Sequence, residues 1–328
     1  MRGRKENEEN MDKKLKELLK SYPKYMTKYY FSLNNKSYTT KHVYVNYVLD
    51  FISFIKKECE VNVSNVKSFK KVNAGMIDYY MSTLDNVGDS IKRCRLYGIK
   101  SFFTFLKRNI IIKDNPCDDV EVPKDRKERK VVALNKEEIA TVRNAILNGS
   151  GSKLAQKRQL EWVNRDYAII MLAISLGLRV TSITEINVED VNFKERELIV
   201  TEKNNKTRII NFGENLYIIL KNWMGDRESM LKDKNVKTNA LFISNRMNRI
   251  GVGCVRALVK KYTEGVDKHI SPHKLRATCA TMLYSTTKDL ELTRRMMGHN
   301  NPKTTERYIG VNEEEKARAV AALEDVVF

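Results

Sequence analysis

A chain of 328 residues with 42% hydrophobic side chains is long enough for about two globular domains and too apolar to be disordered. Its formal charge of +19, split as roughly +11 before residue 131 and +8 after it, predicts that both halves meet one polyanion, and nucleic acid is the expected one. No apolar run nears the ~18 residues of a membrane span, and the N-terminus has no signal-peptide core, so the expectation is a cytoplasmic protein without a membrane partner.

The five cysteines (Cys59, Cys94, Cys117, Cys254 and Cys279) are scattered, with no Cys-x-x-Cys pair. A disulfide framework or zinc site is not expected, and neither is a metal or other cofactor.

Residues 1–20 are rich in mixed charge and predict a flexible lead-in or a short helix. From Ser37 to Glu58, Val43, Val45, Tyr47, Val48, Phe51, Ile52, Phe54 and Ile55 recur mainly at helical spacing, and further helices fit Ala74 to Leu84 and Ser90 to Lys107. Asn86-Val87-Gly88-Asp89 reads as a turn, with Asp89 or Ser90 available to cap the helix that follows. Asp114-Asn115-Pro116 is a stop. A basic, all-helical bundle is therefore expected over 21–120.

Residues 121–131 contain Pro123 and a run of Lys and Arg without core periodicity, which predicts a solvated basic linker able to lie along phosphates. A second domain is expected over 132–310. It opens where Asn135 can cap a helix and Glu138 can close a capping box. Tyr167 to Leu178 reads as an apolar core helix. Glu197–Thr201 and Arg208–Phe212 flank a turn as a β-hairpin, and Leu241–Ser244 is a candidate third strand. The rest reads as helices, with starts at Ser271-Pro272 and Asn301-Pro302.

The chemistry concentrates near the C-terminus. His273 and Arg276 stand at i, i+3, on one helix face, and can converge on a single oxyanion. His299 and Tyr308 follow within about 36 residues of His273, in a chain with only four histidines. Two imidazoles, a guanidinium and a phenol suggest phosphoryl transfer to tyrosine without a metal. Arg179 lies upstream, directly after an apolar helix, where the bland reading is a helix-end cation. Lys203 and Lys206 share the hairpin turn. Met296, Met297 and Cys279 read as packing.

Together, Leu176-Gly-Leu-Arg179, Val200-Thr-Glu-Lys203-Asn-Asn-Lys206-Thr-Arg208 with its hairpin lysine, His273-Lys-Leu-Arg276, Met297-Gly-His299 and Thr305-Glu-Arg-Tyr308 resemble the tyrosine recombinases of the phage-integrase and Xer type. The resemblance covers roughly residues 35–310. It implies a mainly α fold with a small antiparallel β-sheet in the catalytic domain, preceded by a helical, SAM-like core-binding bundle.

It further implies that Tyr308 attacks a scissile phosphate to leave a 3′-phosphotyrosyl link. Arg179 and Arg276 would hold the non-bridging oxygens, His273 would handle protons, and His299 would add a hydrogen bond. Lys203, in preference to Lys206, would be the general acid. The activity implied is site-specific recombination of duplex DNA through a Holliday junction, by a homo-tetramer on synapsed DNA, with nucleoid association when bound. A non-catalytic DNA-binding regulator or a topoisomerase-like relaxing enzyme on the same scaffold is the alternative.

Lys92, Arg93, Arg95 and Lys100 are candidate phosphate contacts of the first domain, joined by Lys206 in the second. The family often carries an acid three residues after the first arginine; here that position is Ser182, Glu185 is the nearest carboxylate in sequence, and what orients Arg179 is left open. The segment 311–328 reads as a tail helix, folding back on its own domain or docking on a neighbouring protomer.

Overall fold

The computed structural model describes residues 2–123, 131–149, 151–202 and 207–298. Two compact units divide the chain, the first ending at Glu128 and the second beginning at Arg129.

The first unit is helical: α1 (Arg2–Leu19), α2 (Lys24–Ser32), α3 (Tyr38–Glu58), α4 (Ala74–Ser82) and α5 (Asp89–Arg108), with a 3-10 turn at Val66–Lys71. Ser37 caps α3 by accepting the Thr40 amide at 3.3 Å, and Asn73 caps α4 through the Met76 amide at 3.1 Å. Val45, Val48, Phe51, Ile52 and Ile55 form the buried stripe of α3. It packs on Leu96, Ile99, Phe102, Phe103 and Leu106 of α5. Gly98 permits the closest approach, since a Cβ there would lie 3.3 Å from Cβ of Tyr47.

Aromatic edges fill the remaining space. Phe102 meets Tyr29 and Phe69 with centroids 5.2 Å apart in both pairs, and each such pair adds about 0.5–1.5 kcal/mol beyond its buried area. Asn115 closes the unit. Its Nδ2 donates to the Lys100 carbonyl and to Thr104 Oγ1, both at 3.1 Å, and its Oδ1 accepts from the Cys117 amide.

Residues 1–20 take the helical one of their two expected forms: Arg2–Leu19 is one helix, and Leu15 and Leu19, one turn apart, are buried in the core of the unit. The surrounding charge hides that two-residue contact in the sequence. Neither Asp89 nor Ser90 caps α5; Gly88 holds that position without a side-chain bond, and Asp89 lies in the first turn, where its charge favours the helix dipole. The helix α2 was not predicted, because its buried face is built from Tyr25, Met26, Tyr29 and Tyr30 rather than aliphatic residues.

The second unit contains α6 (Lys136–Asn148), α7 (Lys153–Leu160), α8 (Val163–Ser175), α9 (Val180–Glu185), α10 (Glu214–Asp233), α11 (Val252–Tyr262), α12 (Pro272–Thr287) and α13 (Leu290–Met297). Strands β1 (Val191–Asn192), β2 (Glu197–Thr201) and β3 (Thr207–Asn211) form an antiparallel sheet in that order. The fold class is thus mainly helical with a small antiparallel sheet.

The capping box opening α6 is complete: Asn135 Oδ1 accepts the Glu138 amide at 2.7 Å, and Glu138 Oε2 accepts the Asn135 amide at 2.8 Å. Helix α8 is the core, with Ala168 to Ile174 buried, and α10 and α12 pack against it. It starts at Val163, earlier than its apolar run, because Arg165 and Asp166 are buried as a pair. It stops at Ser175 because Gly177, at φ +59°, leaves helical geometry.

The β2–β3 hairpin forms as expected, with its second strand one residue earlier than Arg208–Phe212; it pairs Glu197 with Asn211 and Thr201 with Thr207, and Leu198 and Val200 face the core. Leu241–Ser244 is not the third strand; β1 takes that place. Leu241, Phe242 and Ile243 are all buried, so this run lacks the two-faced alternation of a sheet edge. Its carbonyls are taken by side chains and turns, with Trp223 Nε1 donating to Leu241 at 2.9 Å and Arg165 donating to Ile243 at 3.0 Å.

No helix among the described residues is long and apolar enough to cross a membrane. The expected linker lies mostly outside the described residues, as do the helix start at Asn301-Pro302 and the segment 311–328.

Candidate active site

Three chain segments of the second unit converge through backbone carbonyls. Gly177 turns the chain out of α8 with a left-handed backbone, buried Leu178 anchors the turn, and Arg179 follows as the N-cap residue of α9. Met297, the last residue of α13, packs against Gly177 so closely that a Cβ there would lie 2.8 Å from its sulfur. Gly298, also left-handed, then ends α13.

Arg276 ties these segments together. It is 1% exposed, and its guanidinium donates from Nη1 to the Gly177 carbonyl at 2.6 Å and from Nη2 to the Met297 carbonyl. Burying a charge is tolerable only with such partners. His273, one turn earlier on α12, is exposed. The pair therefore occupies one helix side at two depths, with the arginine inside and the imidazole outside. The Ser271 hydroxyl makes no capping bond at the start of α12, and Pro272 supplies the helical first position.

Arg179 is oriented by a residue that sequence reasoning left unassigned. Its Nη1 donates to Oε2 of Glu202, the residue after β2, and the Arg179 side chain keeps 35% of its exposure. Oε1 of Glu202 lies 3.1 Å from Nε of Arg208 on β3, and Arg208 Nη1 donates to the Met296 carbonyl. Burial pushes the Arg208 guanidinium below its ordinary pKa; Glu202 opposes this, and the positive charge of Arg179 adds to it.

Ser182 accounts for its own position differently: its hydroxyl donates to the Thr201 carbonyl at 2.9 Å and fastens α9 to the end of β2. A carboxylate close to Arg179 thus exists, but it comes from the hairpin rather than from α9. The only sequence signal was an acid at the base of a basic turn.

Cys279 packs one turn beyond Arg276, and its thiol donates to the Ser175 carbonyl at 3.5 Å. Burial pushes that thiol up to about 11, against the pull of Arg276 and Arg208, so it stays protonated near neutrality. Deeper in the unit, Asp166 accepts hydrogen bonds from Arg165 Nε at 2.9 Å and from the Tyr262 hydroxyl at 2.7 Å, another group that the sequence did not flag.

Lys203, Lys206, His299 and Tyr308 lie outside the described residues. Among the described residues no group of three or more His, Cys, Asp or Glu could hold a metal ion. The candidate phosphate contacts on α5 differ among themselves. Lys92 is half-buried, Arg93 donates to the Pro123 carbonyl at 3.0 Å, and Lys100, also half-buried, pairs with Asp118 at 2.8 Å. Arg95 is drawn inward, donating to Asp50 and to the Tyr80 hydroxyl and lying over the Tyr47 ring, so its position fits a structural cation better than a phosphate contact.

Residues 162–315 match the model of the Phage integrase family. The chain is 31% identical to tyrosine recombinase XerC of Alcanivorax borkumensis over 223 residues, covering 67% of this chain and 68% of the relative. It is 30% identical to tyrosine recombinase XerC of Caldanaerobacter subterraneus subsp. tengcongensis over 313 residues, covering 89% and 83%. Among solved structures, the XerH site-specific recombinase bound to palindromic difH substrate superposes with a TM-score of 0.70 at 18% identity, over 88% of this chain and 81% of that one. A lambda integrase (75-356) dimer bound to a COC′ core site superposes with a TM-score of 0.58 at 14% identity, over 79% and 87%. At those identities the structural likeness speaks for the fold.

Proposed function

This chain belongs to the phage integrase family of tyrosine recombinases and is a site-specific DNA recombinase; from that premise we propose how its second unit breaks and rejoins a strand. Duplex DNA is the substrate, gathered by a charge of +19. Tyr308 is the nucleophile: a bond forms between its phenolic oxygen and phosphorus as the bond to the 5′ oxygen breaks. The phenol proton leaves toward His273, and Lys203 donates a proton to the departing 5′ oxygen. Arg179 and Arg276 hold the non-bridging oxygens and offset the charge that develops on them, while His299 donates a further hydrogen bond.

The phosphotyrosyl bond conserves the energy of the phosphodiester, so a 5′ hydroxyl from another duplex can reverse the step without ATP. Two rounds of exchange, through a Holliday junction and within a synaptic homo-tetramer, complete recombination.

The observation that carries this reading is the fixed arginine pair. Arg276 holds the Gly177 carbonyl, two residues before Arg179, so one guanidinium sets the backbone from which the other projects. Arg179, whose side chain keeps 35% of its exposure, is thereby set before a phosphate arrives, and a donor placed in advance needs no reorganisation when charge develops.

The test uses duplexes that the chain itself selects from a randomised library, nicked so that cleavage traps the enzyme. The expected result is a covalent protein–DNA adduct that Tyr308→Phe abolishes. Selective binding without any adduct would refute the reading and leave a DNA-binding regulator. Exchange between two labelled duplexes is expected next; relaxation of supercoils without exchange would indicate a topoisomerase-like enzyme instead.

A further inference from the structure

We propose that Glu202 is a positioning residue for strand cleavage: its carboxylate holds Arg179 in the orientation that meets the scissile phosphate. The proposal rests on the recombinase reading above. It begins from an electrostatic difficulty. Arg179 stands at the N-cap of α9, where the helix dipole disfavours a cation, and the first turn of α9 contains no acid. Ser182, in that turn, is neutral, buried, and committed to the Thr201 carbonyl.

Glu202 supplies the missing anion from another element. Its backbone is fixed on one side by β2, whose last residue, Thr201, is both paired with Thr207 and held by Ser182. Its side chain is only 12% exposed, and each oxygen has its own arginine, Oε2 with Arg179 and Oε1 with Arg208. Arg208 is anchored in turn on the Met296 carbonyl, so the carboxylate is held against a fixed cation.

The space it occupies is kept by a glycine: a Cβ on Gly298 would lie 3.3 Å from both carboxylate oxygens. Arg179 is thus fixed along one edge while about a third of its side chain remains open to an incoming anion. A carboxylate so placed acts through the arginine, by setting its orientation and neutralising part of the repulsion between Arg179 and Arg208.

The experiment compares the full chain with Glu202→Gln, Glu202→Asp and the double variant Glu202→Gln/Ser182→Asp on the trapped duplex described above. Single-turnover adduct formation, equilibrium DNA binding and thermal melting are measured for each. Glu202→Gln keeps shape and loses charge, so adduct formation should slow by about 10- to 100-fold while the duplex Kd and the melting temperature stay close to the parent. Glu202→Asp should recover part of the rate. The double variant, which returns a carboxylate to the first turn of α9, should recover part of it wherever melting shows it folded.

Adduct formation by Glu202→Gln at the parent rate or faster would overturn the proposal; the faster case would mean that the carboxylate competes with the phosphate. A rate loss that tracks a lower melting temperature, with no recovery in Glu202→Asp, would also overturn it as damage to the fold. If the parent forms no adduct, the recombinase reading falls and the Glu202 role with it. A parent adduct that Tyr308→Phe abolishes keeps that reading and lets Glu202 be judged alone.

Discussion

Replacing Arg276 by lysine separates two roles that one side chain combines. The ammonium keeps the charge but cannot reach both the Gly177 and Met297 carbonyls, which the guanidinium bridges between α8 and α13. One carbonyl is left without its donor in a site where the residue is 1% exposed, and an unsatisfied buried acceptor costs about 1–3 kcal/mol. An ammonium is also more strongly hydrated than a guanidinium, which adds to the cost of burial. For a domain of this size a loss of about 2 kcal/mol lowers Tm by about 4–8 °C.

Arg179→Lys is the control. Its partner pair is partly open to solvent, so its loss should cost under about 1 kcal/mol and leave the melt nearly unchanged. Both variants should lose adduct formation. Differential scanning calorimetry of the two beside the parent decides the matter: equal shifts, or no shift for Arg276→Lys, would refute the claim that the buried guanidinium ties the unit together.

Gly177→Ala should destabilise the second unit by about 1–2 kcal/mol from the left-handed backbone alone, with more from the overlap with Met297; urea unfolding measures it, and an unchanged midpoint would contradict the geometry. Tyr262→Phe leaves buried Asp166 with one donor fewer and should cost about 1–3 kcal/mol by the same measurement. Lys268 first, and then the Asn135 amide, hold Glu138 below the ordinary glutamate pKa. A carboxylate depressed in the folded state stabilises fully above its unfolded pKa and loses that contribution as the pH falls through the folded value. The Tm of the parent should therefore fall more between neutral and acidic pH than that of Glu138→Gln; parallel curves would show that the capping box is not linked to protons.

The helices α3, α4 and α5 were legible because aliphatic and aromatic residues recur at helical spacing, and the α6 start because Asn135 and Glu138 stand at capping-box distance. The hairpin was legible from two β-branched runs around a basic turn. The support of Arg179 was not, since it joins residues 23 apart and a glutamate beside a hairpin turn reads as solvated. The strand assigned to Leu241–Ser244 failed for a related reason: periodicity reports burial, and here burial comes from a strap held by Trp223, Arg227 and Arg165 rather than by a neighbouring strand. The packing of α1 into the core was hidden, although a helix there was one of the expected forms, because Leu15 and Leu19 lie within a run of charge.

The end of α13 is held by its carbonyls, at Met296 by Arg208 and at Met297 by Arg276. Grips on main-chain oxygens are indifferent to the side chains at those positions, so Met296, which is exposed, can drift in identity at little cost. They are strict about counting. Inserting or deleting one residue within Leu290–Met297 would rotate the helix by about 100° and present different carbonyls to the two arginines. This stretch should accept substitutions at its exposed positions while rejecting every change of length, and a library of such variants scored for folding would read as tolerant in composition and rigid in register.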